Sequence, residues 1–309
     1  MIAFIDEHRS RFGVEPICRV LREHDCGIAP NTYWVAKQRP PSARALRDVE
    51  LVAEVHRVFV ENLFVYGADK IWTQLNREEI RVARCTVERL MRAEGLSGAR
   101  RGKAFTITTQ GDDRLHRPAD LVDGKFRAPA PDRLWVADLA YVKTHSGWVY
   151  VAFIIDVYSR MIVGWQASRS LRSDLAIDAL DMVVWNLKRA GRYLDQLIHH
   201  SDRGVQYLSI RYSERLADND IVASVGSKRD SYDNAMTKSF NGLYRWELIY
   251  SQGLWRGPDH IEFATTTYVD WFNQRRLHSE ITSDATCTIP AEAETDYYRQ
   301  KQPAEKAVT

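Results

Sequence analysis

The chain has few of the features that mark secreted, membrane-spanning or disulfide-stapled proteins. It contains four cysteines, Cys18, Cys26, Cys85 and Cys287, and no C-x-x-C pair. A disulfide framework is therefore not expected, and a reducing cytosol fits better. No apolar run approaches the ~18 residues of a membrane span. The N-terminus, MIAFIDEHRSRFGVE, turns to charge after five residues, so no signal peptide is expected. His8, Cys18, His24 and Cys26 have spacings that fit no common zinc pattern. The net charge is only +2, too small for bulk charge to signal nucleic acid. What is present is an ordinary globular composition: 45% hydrophobic and 27% charged residues over a length of 309. At roughly 100–200 residues per domain, two or three domains are expected.

The total charge hides an asymmetry. Residues 1–130 carry 22 basic and 18 acidic groups, net +4. Residues 131–250 carry 15 and 14, net +1, and residues 251–309 carry 6 and 9, net −3. Phosphate contacts are therefore sought in the first segment. Arginine makes up 33 of the 43 basic residues, which suits phosphate binding but also follows from a GC-rich genome. Two stretches read as linkers: RPPSARALR at 39–47, and the Pro-, Gly- and charge-rich stretch 108–133. The expected organisation is a helical segment over 1–40, a helix-turn-helix-like region over 44–107, a linker over 108–130, a core over 131–250 and a helical tail over 251–309.

The front end reads as short helices. Pro16–Leu21 is amphipathic, with Pro in its first turn, and Tyr33–Lys37 follows after Gly27. Gly67–Leu75 and Ala83–Met91 form a second pair, resembling a helix-turn-helix. Arg84, Arg89 and Arg92 decorate its second helix, and Arg100, Arg101 and Lys103 follow. These six are the candidate DNA-contacting residues; a plain helical bundle with solvated charges would read the same way.

From residue 133 the period changes to that of strands. Leu134–Val142, the nearly all-apolar Trp148–Asp156 and Met161–Ser168 are followed by a helix over Ser173–Lys188. A strand over Leu197–Asp202, a helix over Ser213–Ala217, a strand over Ile221–Val225 and a helix over Tyr232–Leu248 complete the order β-β-β-α-β-α-β-α. That order predicts a mixed sheet flanked by helices. Asp138 sits mid-strand, where an unpaired charge is costly, and Asp202 sits where a strand ends. If the first and fourth strands are neighbours, the two carboxylates meet, and hard oxygen ligands suit Mg²⁺ or Mn²⁺.

The segments Trp135-Val136-Ala137-Asp138, His199–Tyr207 and Ser231-Tyr232-Asp233-Asn234-Ala235 strongly resemble the DDE transposases of bacterial insertion sequences, which have a retroviral-integrase-like core. The resemblance is closest to the second-frame (OrfB) product of the large two-frame group, and Trp271–Ser279, Ile289–Glu292, Phe12–Cys18 and Tyr66–Ala68 extend it over nearly the whole chain. It implies an α/β, ribonuclease-H-like fold with a five-stranded mixed sheet. It also implies two divalent metals, Mg²⁺ or Mn²⁺, held by Asp, Asp and Glu, and in-line phosphodiester cleavage and strand transfer. The implied partners are double-stranded DNA (element ends and target), further copies of the chain, and a first-frame helix-turn-helix protein joined by frameshift fusion. The implied location is the bacterial cytoplasm at the nucleoid.

By match, Asp138 is the first carboxylate and Asp202 the second. In the family, 35 residues separate the glutamate from the second aspartate; residues 203–237 fill that gap, and the next residue is Lys238. The family's Tyr-Asp-Asn-Ala-x-x-Glu is here Tyr232-Asp233-Asn234-Ala235-Met236-Thr237-Lys238. Lys238 cannot ligate a metal while protonated, but it can form a salt bridge to Asp138 or Asp202. Glu247 and Asp233 lie off its helix face, Asp156 is the best outside carboxylate, and Asn234 and Asn241 share the face as neutral oxygen donors. Two functions compete: a transposase subunit with an impaired site, and a non-catalytic DNA-binding regulator of transposition. A ribonuclease H reading conflicts with the helical front end.

Overall fold

The computed structural model describes residues 1–100, 118–192, 194, 196–202, 204–226, 235–281 and 287–301. The expected DNA-contacting residues Arg101 and Lys103, and the motif residues Ser231 to Asn234, lie outside these. The chain divides into two compact units, Met1–His56 and Arg57–Thr309.

The first unit contains α1 (Ile2–Phe12), α2 (Val14–Glu23), α3 (Pro30–Gln38) and the start of α4 (Ala43–Glu61). Ile5, Ile17, Cys18, Ile28 and Tyr33 form its small core. Cys18 is wholly buried among them, so it is a packing residue rather than a ligand. The linker expected over 39–47 is shorter than the sequence suggests. The Ser42 hydroxyl accepts from the Ala45 N–H at 3.2 Å, and α4 starts at Ala43.

The second unit begins with a helix pair, α5 (Ala68–Arg77) and α6 (Arg84–Ala93). Ile71 and Leu75 of α5 and Val87, Leu90 and Met91 of α6 are buried at helical spacing. The sheet contains β1 (Leu134–Thr144), β2 (Gly147–Asp156), β3 (Ile162–Ser168), β4 (Ile198–Ser201) and β5 (Val222–Val225). Its order is β3-β2-β1-β4-β5, with β1–β2 and β2–β3 antiparallel and β1–β4 and β4–β5 parallel. The helices are α7 (Ser173–Arg189), α8 (Ile210–Ala217) and α9 (Ala235–Tyr244). A π-helical turn over Arg245–Ile249 and a final turn α10 (Tyr250–Gln252) extend α9, and α11 (Pro258–Gln274) and α12 (Pro290–Lys301) follow. This is the mixed, helix-flanked sheet that the element order predicts, in the α/β, ribonuclease-H-like arrangement that the resemblance implies.

One sheet face meets α7 and α8: Trp135, Ala137 and Leu139 are buried with Leu175, Ala179, Leu180, Val183 and Leu216. The other face meets α9 and α11. Phe153 of β2 lies 4.9 Å from both Phe240 and Tyr244 of α9. On α11, Asn273 bonds both backbone groups of Ile162 in β3, at 2.9 and 2.8 Å. Residues 118–133 are not a free linker: Leu121 N donates to Ser224 Oγ at 3.0 Å, and Val122 and Ala130 are buried.

Gly164 lets β3 approach α7 closely, since a Cβ there would collide with the Ala179 carbonyl oxygen and Val183 Cγ2. The carbonyl belongs to the helix backbone and cannot swing aside. Gly164→Ala is therefore expected to destabilise the protein by about 1–3 kcal/mol. Urea denaturation checks this; unchanged stability would mean that α7 is free to retreat.

Candidate active site

The site grows from the register of two strands. In the parallel pair β1–β4, Leu134 stands opposite Ile198 and Ala137 opposite Ser201. One step further, Asp138 and Asp202 stand side by side as β4 ends. Paired strands run about 4.8 Å apart and opposed residues share a face. Asp138 is also opposite Phe153, which packs on α9, so both aspartates belong to the α9 side of the sheet. Burial, and then the charge of Asp202, push the Asp138 carboxyl up to about 7. Two carboxylates held this close disfavour joint ionisation unless positive charge joins them.

Each aspartate is held from its own surroundings. Asp138 Oδ1 accepts from Leu139 N at 2.8 Å, and Oδ2 accepts from Asn241 Nδ2 of α9 at 2.9 Å. Thr237 gives Asp138 a further hydrogen bond, and Arg245 is a nearby positive charge. Asp202 Oδ1 accepts from Gly204 N at 2.9 Å. A Cβ on Gly204 would sit 2.9 Å from that oxygen and 2.9 Å from Gln206 Oε1, so a side chain there would displace one of them.

Lys238 lies on α9 one residue beyond Thr237, and its side chain is exposed. The other carboxylates weighed for the third position are elsewhere. Asp156 pairs with Trp135, three residues down β1 from Asp138, about 10 Å along the strand. Its carboxylate accepts from Asp132 N, Ser159 N and Ser159 Oγ at 2.9, 2.7 and 2.8 Å, so it closes the β2–β3 turn. Glu247 is buried against Arg276, with contacts of 2.5 and 2.9 Å, and accepts from Tyr268 at 2.9 Å. Among the described residues, no three His, Cys, Asp or Glu side chains are placed to hold a metal together.

An integrase core domain model matches residues 128–231, a second integrase core model matches 219–283, and an HTH-like domain model matches 46–104. The chain is 50% identical to the protein named as the transposase for insertion sequence element IS986/IS6110 of Mycobacterium tuberculosis, over 89% of this chain and 98% of that one. It is 45% identical to the transposase for insertion sequence element IS629 of Shigella sonnei, over 96% of this chain and 97% of that one. The chain belongs to the insertion-sequence transposases. Among solved structures it is similar to the HTLV-2 integrase catalytic core in complex with magnesium. That likeness has 16% identity and a TM-score of 0.36, covering 50% of this chain and 94% of that one.

In this transposase the motif histidines serve the fold. His199 Nε2 and the Tyr212 hydroxyl are 2.9 Å apart, and burial drives the ring down to about 3, so it stays neutral. His200 Nδ1 lies 2.9 Å from Ser224 Oγ. In the HTH-like region Arg84 reaches Asp69 at 2.5 Å and Glu88 at 3.9 Å, and Arg92 reaches Glu88 at 3.4 Å. Arg84, Arg92 and Arg100 are exposed and Arg89 is half-buried. Among the described residues no helix is long and apolar enough to cross a membrane.

Sequence reasoning missed Thr237 and Arg245. The signal for Thr237 is its spacing: Thr237, Phe240, Asn241 and Tyr244 follow at i, i+3, i+4 and i+7, a buried face with two polar members.

Asp156 yields a pH-dependent prediction. Burial outweighs its three donors and raises the carboxyl to about 6, from a usual 3.8. A raised carboxyl pKa favours the folded state at low pH, and that contribution is lost as pH rises through about 6. Asp156→Asn carries no such titration. From pH 4 to 7 the wild type should therefore lose about 3 kcal/mol of stability relative to the variant. Parallel denaturation of both proteins across that range is the check, and a constant difference would show an unshifted carboxylate.

Proposed function

We propose that this chain is a transposase subunit whose strand-cleavage and strand-transfer site is built on Asp138 and Asp202 and is impaired by Lys238. The observation that carries this reading is the parallel β1–β4 register, which sets the two aspartates side by side beneath α9 with Lys238 on that helix. The residues present fit a hard divalent cation: two adjacent carboxylates, one of them pushed upward by burial and then by the other's charge, and the buried amide of Asn241. Bound there, Mg²⁺ or Mn²⁺ would activate an oxygen nucleophile and compensate charge on the leaving oxygen. The protein's own part is positioning. Leu139 N–H and Thr237 fix the Asp138 carboxylate, Gly204 N–H fixes Asp202, and Lys238 brings an ammonium where the family has its third carboxylate.

Restoring that carboxylate tests the reading. Each ~1.4 kcal/mol of transition-state stabilisation is tenfold in rate, and metal charge compensation supplies several kcal/mol. Lys238→Glu is therefore expected to cleave and join element-end DNA at least about a hundredfold faster than the unaltered chain. Both proteins are assayed with Mg²⁺ or Mn²⁺ and with the first-frame domain fused, so that DNA docking does not limit either. Equal, metal-dependent rates would remove Lys238 as the cause of impairment.

The same substitution favours a second reading, a DNA-binding regulator that holds element ends without cutting them. In both readings the HTH-like region supplies most of the affinity. The pairs that Arg84 and Arg92 make are exposed and screened by solvent, so phosphates can displace them. Replacing Arg84, Arg89 and Arg92 by alanine should weaken DNA binding and lower the log–log salt slope by roughly one unit per lost phosphate contact. An unchanged slope would assign these side chains to the protein alone.

A further inference from the structure

Thr237 and Asn241 are the polar members of the buried α9 face, and both meet Asp138. Asn241 is 7% exposed, yet only one end of its amide is used. Nδ2 donates to Asp138 Oδ2 at 2.9 Å and lies 3.4 Å from the Leu139 carbonyl oxygen. No donor among the described residues reaches Oδ1. A buried acceptor without a donor is destabilising and calls for a reason.

A half-turn of the amide about Cβ–Cγ exchanges its oxygen and nitrogen. With Asp138 ionised, that turn alone is unfavourable, because it sets two oxygens against each other at the 2.9 Å now spanned by the Nδ2 hydrogen bond. A hard cation between them reverses the sign. Oxygens bound to one octahedral ion at about 2.0–2.1 Å lie about 2.9 Å apart when they are neighbouring ligands. The present spacing of the amide from Asp138 is therefore already that of two ligands on one ion.

We propose that Asn241 Oδ1, turned toward the carboxylates, is the third protein ligand of a single divalent cation held by Asp138 and Asp202. It takes the ligand role that Lys238 cannot fill. This rests on the metal-dependent transposase reading and goes beyond it: the altered site is one-ion, with a neutral oxygen completing the set. With two charged ligands in place of three, it holds one ion where the intact family site holds two. Asn241 thus has two states, a donor to Asp138 without the ion and an acceptor toward the ion with it.

Mn²⁺ titration calorimetry on the full chain, free of DNA, tests this. The unaltered protein should bind one Mn²⁺ that Mg²⁺ displaces and that Asp138→Asn abolishes. Asn241→Ala should weaken that binding at least about tenfold, since even the outer partners of metal ligands commonly count for 10–100-fold. Lys238→Glu should bind two ions. A crystal structure with Mn²⁺ decides whether Asn241 ligates or only orients Asp138, and it holds even where Asn241→Ala fails to fold: Oδ1 at about 2.2 Å from the ion supports the proposal, and Oδ1 beyond about 3 Å overturns it. One Mn²⁺ bound with equal affinity by the unaltered protein and Asn241→Ala overturns it as well, while leaving the transposase reading intact. No binding at Asp138 in either the unaltered protein or Lys238→Glu would overturn that reading and the proposal together.

Discussion

Asp138 and Asp202 stand together because β1 and β4 pair in one parallel register, and everything proposed for the site depends on that pairing. A slip of one residue would carry Asp202 to the opposite face of the sheet. The register is held from outside the aspartates. His199 bonds Tyr212 of α8, and His200 bonds Ser224 of β5. These histidines, prominent in the sequence motif, act as locks on the strand that delivers Asp202. Burial, and then the like charge of Asp202, raise the Asp138 carboxyl, and this is the kind of unfavourable arrangement that persists where function needs it.

A second constraint ties the remainder of the second unit to the site. Glu247 and Arg276 form a buried, bidentate ion pair joined by Tyr268, and Arg276 also reaches the ring nitrogens of His278 at 3.2 Å. A buried charge left without its partner costs about 3–5 kcal/mol, so these groups stay together. Glu247 lies in the π-helical turn that extends α9, the helix that carries Thr237, Lys238 and Asn241. The HTH-like helices join the same cluster. The Tyr66 hydroxyl donates to the Arg275 carbonyl at 3.1 Å and accepts from Leu277 N at 2.7 Å, while Trp271 Nε1 donates to Asn62 at 3.1 Å. Burial and Arg276 bring Lys70 of α5 down to about 8 and hold His278 neutral. The helix that carries Thr237, Lys238 and Asn241 is thus braced by contacts from residues 62 to 278.

Local periodicity made much of the fold legible. The nearly unbroken apolar run of β2 reads as a strand buried on both faces, and it is an interior strand. The spacing of Leu175, Ala179 and Val183 reads as one helix face, and all three are buried. The front-end helices were harder to bound. The prolines at 40 and 41 suggested a longer break than the Ser42 cap allows. The docking of 118–133 on the sheet edge has no periodic signal, because it rests on isolated contacts such as Leu121 with Ser224 and Phe126 with His200.

The sequence by itself determined the chemistry available: two aspartates in matching motifs and a lysine 36 positions after the second. No folding event changes that position 238 carries an ammonium and not a carboxylate. Only the tertiary structure decided which neighbours those groups have. Asp156 and Glu247 are carboxylates in the sequence and structural anchors in the fold, one saturated by turn donors and the other by Arg276. Asn241 is one of several polar residues in the chain until α9 docks on β1 and sets its amide against Asp138. The physical reason is range. Helix and strand periods are written in neighbouring residues, whereas strand pairing and helix docking join side chains 103 positions apart, as in Asn241 and Asp138, or 209 apart, as in Trp271 and Asn62, for which sequence carries no local mark.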